Sequence, residues 1–97
     1  MNKIIINLPE DLNSLAGNSY GREVFTEFVN INTISEKTIL VFPNNIERVA
    51  IGFVQGFISE VGPEKFRELF EIEGNPKFIK SFWDRIESQT PRLKAGV

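Results

Sequence analysis

The chain contains no cysteine and no histidine. The first absence excludes a disulfide framework and thiolate chemistry. The second removes the commonest general base, the commonest transition-metal ligand and every His-dependent triad. Zinc, which draws on both residue types, loses its usual ligands. An excess of one charge is also missing: 11 basic and 13 acidic residues leave a net charge of −2. No strong field points to nucleic acid or to an anionic membrane. No apolar run approaches the ~20 residues of a membrane helix. Met1-Asn2-Lys3 leads into three isoleucines and then Asn7, Pro9, Glu10 and Asp11, too short a run for a signal-peptide core. A cytoplasmic bacterial or phage protein is the expectation.

What is present suits one globular domain. The 97 residues are 41% hydrophobic and 25% charged, an ordinary globular composition with a modest core. Residues 1–97 are expected to form a single domain, with 1–2 and 91–97 as loose ends. There is no repeat, low-complexity segment or linker.

The most informative stretch is Thr38 to Val61. Thr38-Ile39-Leu40-Val41-Phe42 reads as a buried strand, Pro43-Asn44-Asn45 as a tight turn, and Glu47 to Val61 as an amphipathic helix. Ala50, Phe53, Val54, Phe57, Ile58 and Val61 form its apolar stripe. Gly52 and Gly56 flank that stripe and suggest close approach by another backbone.

Upstream, Lys3 to Leu8 reads as a strand. Its three consecutive isoleucines suggest burial on both faces. Leu12 and Leu15 anchor a polar loop. Asn18 or Ser19 is placed to cap a first helix with Val24, Phe25, Phe28 and Val29 inward. Downstream, Gly62-Pro63 stops the second helix. A helical or irregular turn at 64–67 precedes a strand at about 68–73. Asn75-Pro76 is a capping residue followed by proline at the first helical position. Phe78, Ile79, Phe82, Trp83 and Ile86 face inward from that helix, and Thr90-Pro91 ends it. Ile5, Val24, Phe28, Leu40, Phe53, Phe57, Phe82 and Ile86 are the expected core.

Strand, helix, strand, helix, strand, helix implies parallel strands with right-handed crossovers. The fold class expected is α/β: a small open, mainly parallel sheet of three to four strands with helices packed on it.

Candidate chemistry is sparse. Glu71 and Glu73 pair on one strand face, where a solvated edge explains them more simply than acid–base work. Glu10-Asp11 is a loop rather than a magnesium site. Gly17 to Arg22 lacks the lysine and glycine spacing of phosphate loops. Ser19 and Arg22, at a helix N-terminus, remain the candidate anion-binding pair. The C-terminal lysines and arginines are interrupted by Asp84 and Glu87, and Phe78, Phe82 and Trp83 belong to the core stripe. The serines include no nucleophile elbow. No catalytic residue, metal site or cofactor is expected.

Residues Phe42 to Phe57 carry a pattern that resembles the STAS-like proteins, relatives of bacterial anti-sigma factor antagonists. Ile39-Leu40-Val41 matches the buried strand, Ile46 and Val49 the apolar turn positions, and Gly52 to Phe57 the helix opening. Gly21-Arg22 resembles the arginine-bearing start of the family's first helix, and Gly62 to Phe66 its glycine-led connection. The chain departs from the family at two places. Phe42 or Pro43 stands where an acid usually ends the strand. Ala50 or Ile51 falls where the antagonists carry a switch serine, so phosphorylation has no hydroxyl there. The resemblance implies a non-enzymatic adapter that binds a protein partner, with a histidine-kinase-like ATPase as the partner class. Asn44, Asn45, Glu47, Arg48 and Gln55 are the expected contact residues, projecting from the carboxyl end of a buried strand. A nucleotide- or small-ligand-binding module and a homo-oligomeric assembly protein are the alternatives.

Overall fold

The computed structural model describes residues 2–89, and among them the apolar runs resolve into five strands and four α-helices. In chain order these are β1 (Asn2–Ile5), β2 (Ser14–Leu15), α1 (Asn18–Phe28), β3 (Thr38–Val41), β4 (Arg48–Val49), α2 (Ile51–Phe57), α3 (Pro63–Leu69), β5 (Phe70–Glu73) and α4 (Pro76–Gln89). A single 3-10 turn, Ile31–Thr33, follows α1. The Thr90-Pro91 stop and the 91–97 tail lie outside the described residues. Asn2, expected in a loose end, opens β1 and pairs with Thr38.

The fold is α/β, as the alternation predicts. β1, β3 and β5 form a parallel sheet in that order, with Ile4 opposite Leu40 and Leu40 opposite Ile72. The ladder runs slightly past the strand ends, through Ile6 N–H to the Val41 carbonyl and Phe42 N–H to the Glu73 carbonyl, both at 2.8 Å. Thr38, a buried polar residue, donates its hydroxyl to the Glu36 carbonyl at 3.0 Å.

Burial alternates along all three strands. Ile6, Leu40, Phe42, Phe70 and Ile72 point into the core, while Lys3, Ile5, Glu71 and Glu73 are exposed. Ile5, expected in the core, is 62% exposed. The cause is topological. The strand order never reverses, so successive right-handed crossovers put their helices on the same face. The other face stays open, and the triple isoleucine divides into inward Ile4 and Ile6 and outward Ile5. Lys3 spans this open face to Glu73, at 3.6 Å. Of the remaining expected core residues, Phe28 is half-buried, and Val24, Leu40, Phe53, Phe57, Phe82 and Ile86 are buried.

An aromatic cluster fills the core. Phe57 lies with its ring centre 5.2 to 5.9 Å from those of Phe25, Phe42, Phe53, Phe66 and Phe82. Most of these contacts are tilted or edge-on, the arrangement the ring quadrupoles favour. Trp83, half-buried, packs on Phe66 and Phe82.

The predicted 47–61 helix is shorter than its apolar stripe. Arg48–Val49 is a strand, β4, paired in parallel with Ser14–Leu15. The Ala50 N–H then bonds the Leu15 carbonyl at 2.8 Å, which delays the helix until Ile51. α2 ends at Phe57, where the Ser59 hydroxyl donates to the Gly56 carbonyl. α3 extends the expected turn to a helix through Leu69, so β5 starts at Phe70.

Candidate functional site

The turn after β3 is built by side chains that bond inward. The Asn45 side-chain amide donates to the carbonyls of Pro9 and Leu12, and so ties the loop after β1 to the turn. Asn75 caps α4 through the Lys77 N–H at 2.9 Å and donates its own amide to the Asn44 carbonyl at 3.1 Å. The cap expected at Asn75-Pro76 therefore also holds the turn. Asn44 itself is exposed and half-buried Asn45 is occupied, so the two asparagines differ in what they offer a partner.

The next residues are held by the two-stranded ribbon. Glu47 and Arg48 N–H groups both reach the Asn13 carbonyl, at 2.9 and 3.3 Å. Leu15 and Val49 turn into the core while Ser14 and Arg48 stay exposed. The structure thus places Arg48 on a strand rather than in a helix. Nothing in the sequence pattern marks this ribbon, because two-residue strands have no measurable period.

α2 opens directly beyond it. Ile51, its first residue, is 40% exposed, and Ala50 and Gln55 beside it are exposed. Ile51 and Gln55 are one turn apart and share a helix face. Arg48 at the end of the ribbon, and Ile51 and Gln55 on α2, are all exposed, with the apolar residue between the polar ones in sequence. Sequence reasoning names Arg48 and Gln55 and misses Ile51, which lies off the buried stripe of Phe53, Val54 and Phe57.

Arg48 also borders an open cleft of about 490 Å³ between the ribbon and α4, lined by Ser14, Ser81 and Arg85 among others. At the carboxyl ends of β1 and β3 lies a smaller cleft, about 320 Å³, bordered by Leu8, Glu10 and Asn45. It offers no convergent set of charged groups. An open α/β sheet places its crevice where strand order reverses, and this sheet has no reversal.

The other candidate pair changes character. Neither Asn18 nor Ser19 caps α1. Gly17 takes the cap position at φ 97°, with no side-chain cap bond. Asn18 lies inside the first turn and accepts instead from Arg22 Nε at 3.1 Å. Ser19 and Arg22 are exposed, and Arg22 is committed to its own helix. Gly56 fulfils the close approach expected of it, against α1. Gly52 has ordinary contacts only. No group of three or more metal-ligating side chains gathers among the described residues. No helix among them is long and apolar enough to cross a membrane.

Comparison of the chain with protein-family models, curated proteins and solved structures returns no match.

Proposed function

We propose that the chain is a non-enzymatic STAS-like adapter that binds a partner protein through the surface at the start of α2. A cytoplasmic setting and a histidine-kinase-like ATPase as partner class belong to this proposal. They rest on the resemblance carried by Ile39 to Phe57. The observation that carries the surface is Ile51, an exposed isoleucine at the first turn of a helix, set between Arg48 and Gln55. A small apolar centre within a polar rim suits a protein interface. Arginine supplies directed hydrogen bonds together with an apolar stem, and so is favoured among binding hot spots.

The polar side chains divide accordingly. Arg48, Gln55 and Asn44 are available to a partner, Glu47 lies at the rim, and Asn45 supports the turn from within. The flank of α2 at Gly56 is already occupied by α1, which favours the exposed Ile51 side over the glycine side.

The test is a titration of the chain with the ATPase domain of any kinase-like protein encoded beside its gene. Ile51→Asp and Arg48→Ala, both at exposed positions, are expected to stay folded and to weaken binding by roughly thirtyfold. Binding of both folded variants as tight as that of the parent would overturn the assignment of this surface.

A further inference from the structure

The cleft between the ribbon and α4 holds two serine–arginine pairs, of which the partner proposal uses only Arg48. Ser14 and Arg48 are register partners across β2 and β4. Ser81 and Arg85 lie one turn apart on α4. All four line the same cleft of about 490 Å³.

The charges are one-sided. No carboxylate lines the cleft. Among the described residues the ion pairs are Lys3–Glu73 and Lys80–Asp84, and neither involves these arginines. Asp84, the acid next to Arg85, lines a different cleft beside Trp83 and is engaged by Lys80 at 3.1 Å. Two uncompensated guanidiniums therefore share one concavity on a chain whose net charge is −2. Arg85 is half-buried, and its Nε donates to the Val49 carbonyl at 3.3 Å. That bond anchors the guanidinium to the ribbon through Nε, and among the described residues no hydrogen bond or ion pair engages its terminal nitrogens.

We propose that this cleft binds a phosphate group, using the guanidiniums of Arg48 and Arg85 and the hydroxyls of Ser14 and Ser81. The donors select the ligand class. A guanidinium fork matches two oxygens at once, so one carboxylate satisfies one arginine and leaves the other exposed. A phosphate monoester carries three terminal oxygens and almost two charges near neutral pH. It can bridge both arginines and still accept from a serine hydroxyl. The phosphate belongs either to a small ester or to a phosphorylated side chain. The cleft stands apart from the partner proposal, because three of its four polar residues lie off the Ile51 surface.

The experiment is calorimetric titration of the whole chain with inorganic phosphate, adenosine monophosphate and a phosphoserine tetrapeptide, in chloride buffer of constant ionic strength. At least one probe is expected to saturate with a Kd below about 1 mM. Arg48→Gln and Ser81→Ala are each expected to weaken that probe by about tenfold, and Lys65→Gln, on α3, to leave it unchanged. Tightest binding by the peptide identifies a phosphorylated side chain as the source, and by either other probe a small phosphate compound. Arg85→Gln, checked for folding by circular dichroism, gives a second reading from the α4 side. The proposal is overturned if no probe saturates. It is equally overturned if Arg48→Gln and Arg85→Gln both leave binding intact, or if Arg22→Gln is the variant that abolishes it. Failure here leaves the partner proposal standing, since that is measured without phosphate and Ile51, one of its two test positions, lies outside the cleft.

Discussion

Gly21 of α1 and Gly56 of α2 interlock. A methyl group on Gly21 would collide with the Phe53 carbonyl oxygen of α2, and one on Gly56 with the Asn18 carbonyl oxygen of α1. Each helix thus presents its bare Cα to the other's backbone. This reciprocal contact brings α1 against α2 and sets the depth at which Phe25 meets Phe57, with ring centres 5.2 Å apart.

Replacing either glycine by alanine is expected to destabilise the fold by about 1–3 kcal/mol, even though alanine is the better helix former. Gly52 provides the control. Its nearest neighbour to an added methyl is the Asn18 nitrogen at 3.7 Å, an ordinary contact. Gly52→Ala is therefore expected to be neutral or to stabilise by up to ~1 kcal/mol. Urea melts of the three variants check the contrast. Equal gains at all three positions would show that helix propensity, not interhelical contact, governs this crossing.

Phe57→Ala removes the ring that touches five others. With Phe57 fully buried, the expected cost is about 3–5 kcal/mol. Chemical denaturation gives the number directly. A loss below ~1 kcal/mol would mean that the neighbouring rings collapse into the space.

Asn45 is expected to act on stability before binding. Asn45→Ala leaves the carbonyls of Pro9 and Leu12 without their side-chain donor, at a cost of about 1–2 kcal/mol. Asn45→Asp places acceptors against those same carbonyls and is expected to cost more. Thermal melts in parallel with the partner titration distinguish support from contact. A fully stable Asn45→Ala that loses partner affinity would return this residue to the interface.

The legible parts of the fold were those with a strong local signal. The apolar run 38–42 has strand length and polar boundaries, and Asn75-Pro76 carries both capping chemistry and the proline preference of a first helical turn. Phe53, Phe57, Phe82 and Ile86 followed from helical spacing. The failures have specific causes. The triple isoleucine hid an alternating strand, because all three positions carry the same residue type and only the sheet's covering distinguishes them. The apolar stripe of 47–61 continued through the ribbon, since Val49 is buried as a strand residue just where a helix also requires an apolar one. α1 starts on a glycine at positive φ although two good capping residues follow. At the candidate site, Arg48 and Gln55 were accessible to pattern. Ile51, off the stripe, was equally accessible and was passed over; Ser81 and Arg85 were not accessible, because packing of α4 against the ribbon brings them to the cleft.

The parallel register governs the order in which the chain can assemble. No two strands of the main sheet are joined by a hairpin turn, and β1 finds its partner only in β3, more than thirty residues later. The Gly21–Gly56 crossing is just as distant in sequence. Loop-closure entropy must therefore be met before almost any stabilising tertiary contact forms. β1 therefore stays unpaired until β3 has followed it, and β5 and α4 come later still. Small domains dominated by such distant contacts refold over milliseconds to seconds rather than microseconds. Until then the isoleucines of β1 remain a nascent edge, with Lys3 the nearest charge to keep it from pairing elsewhere.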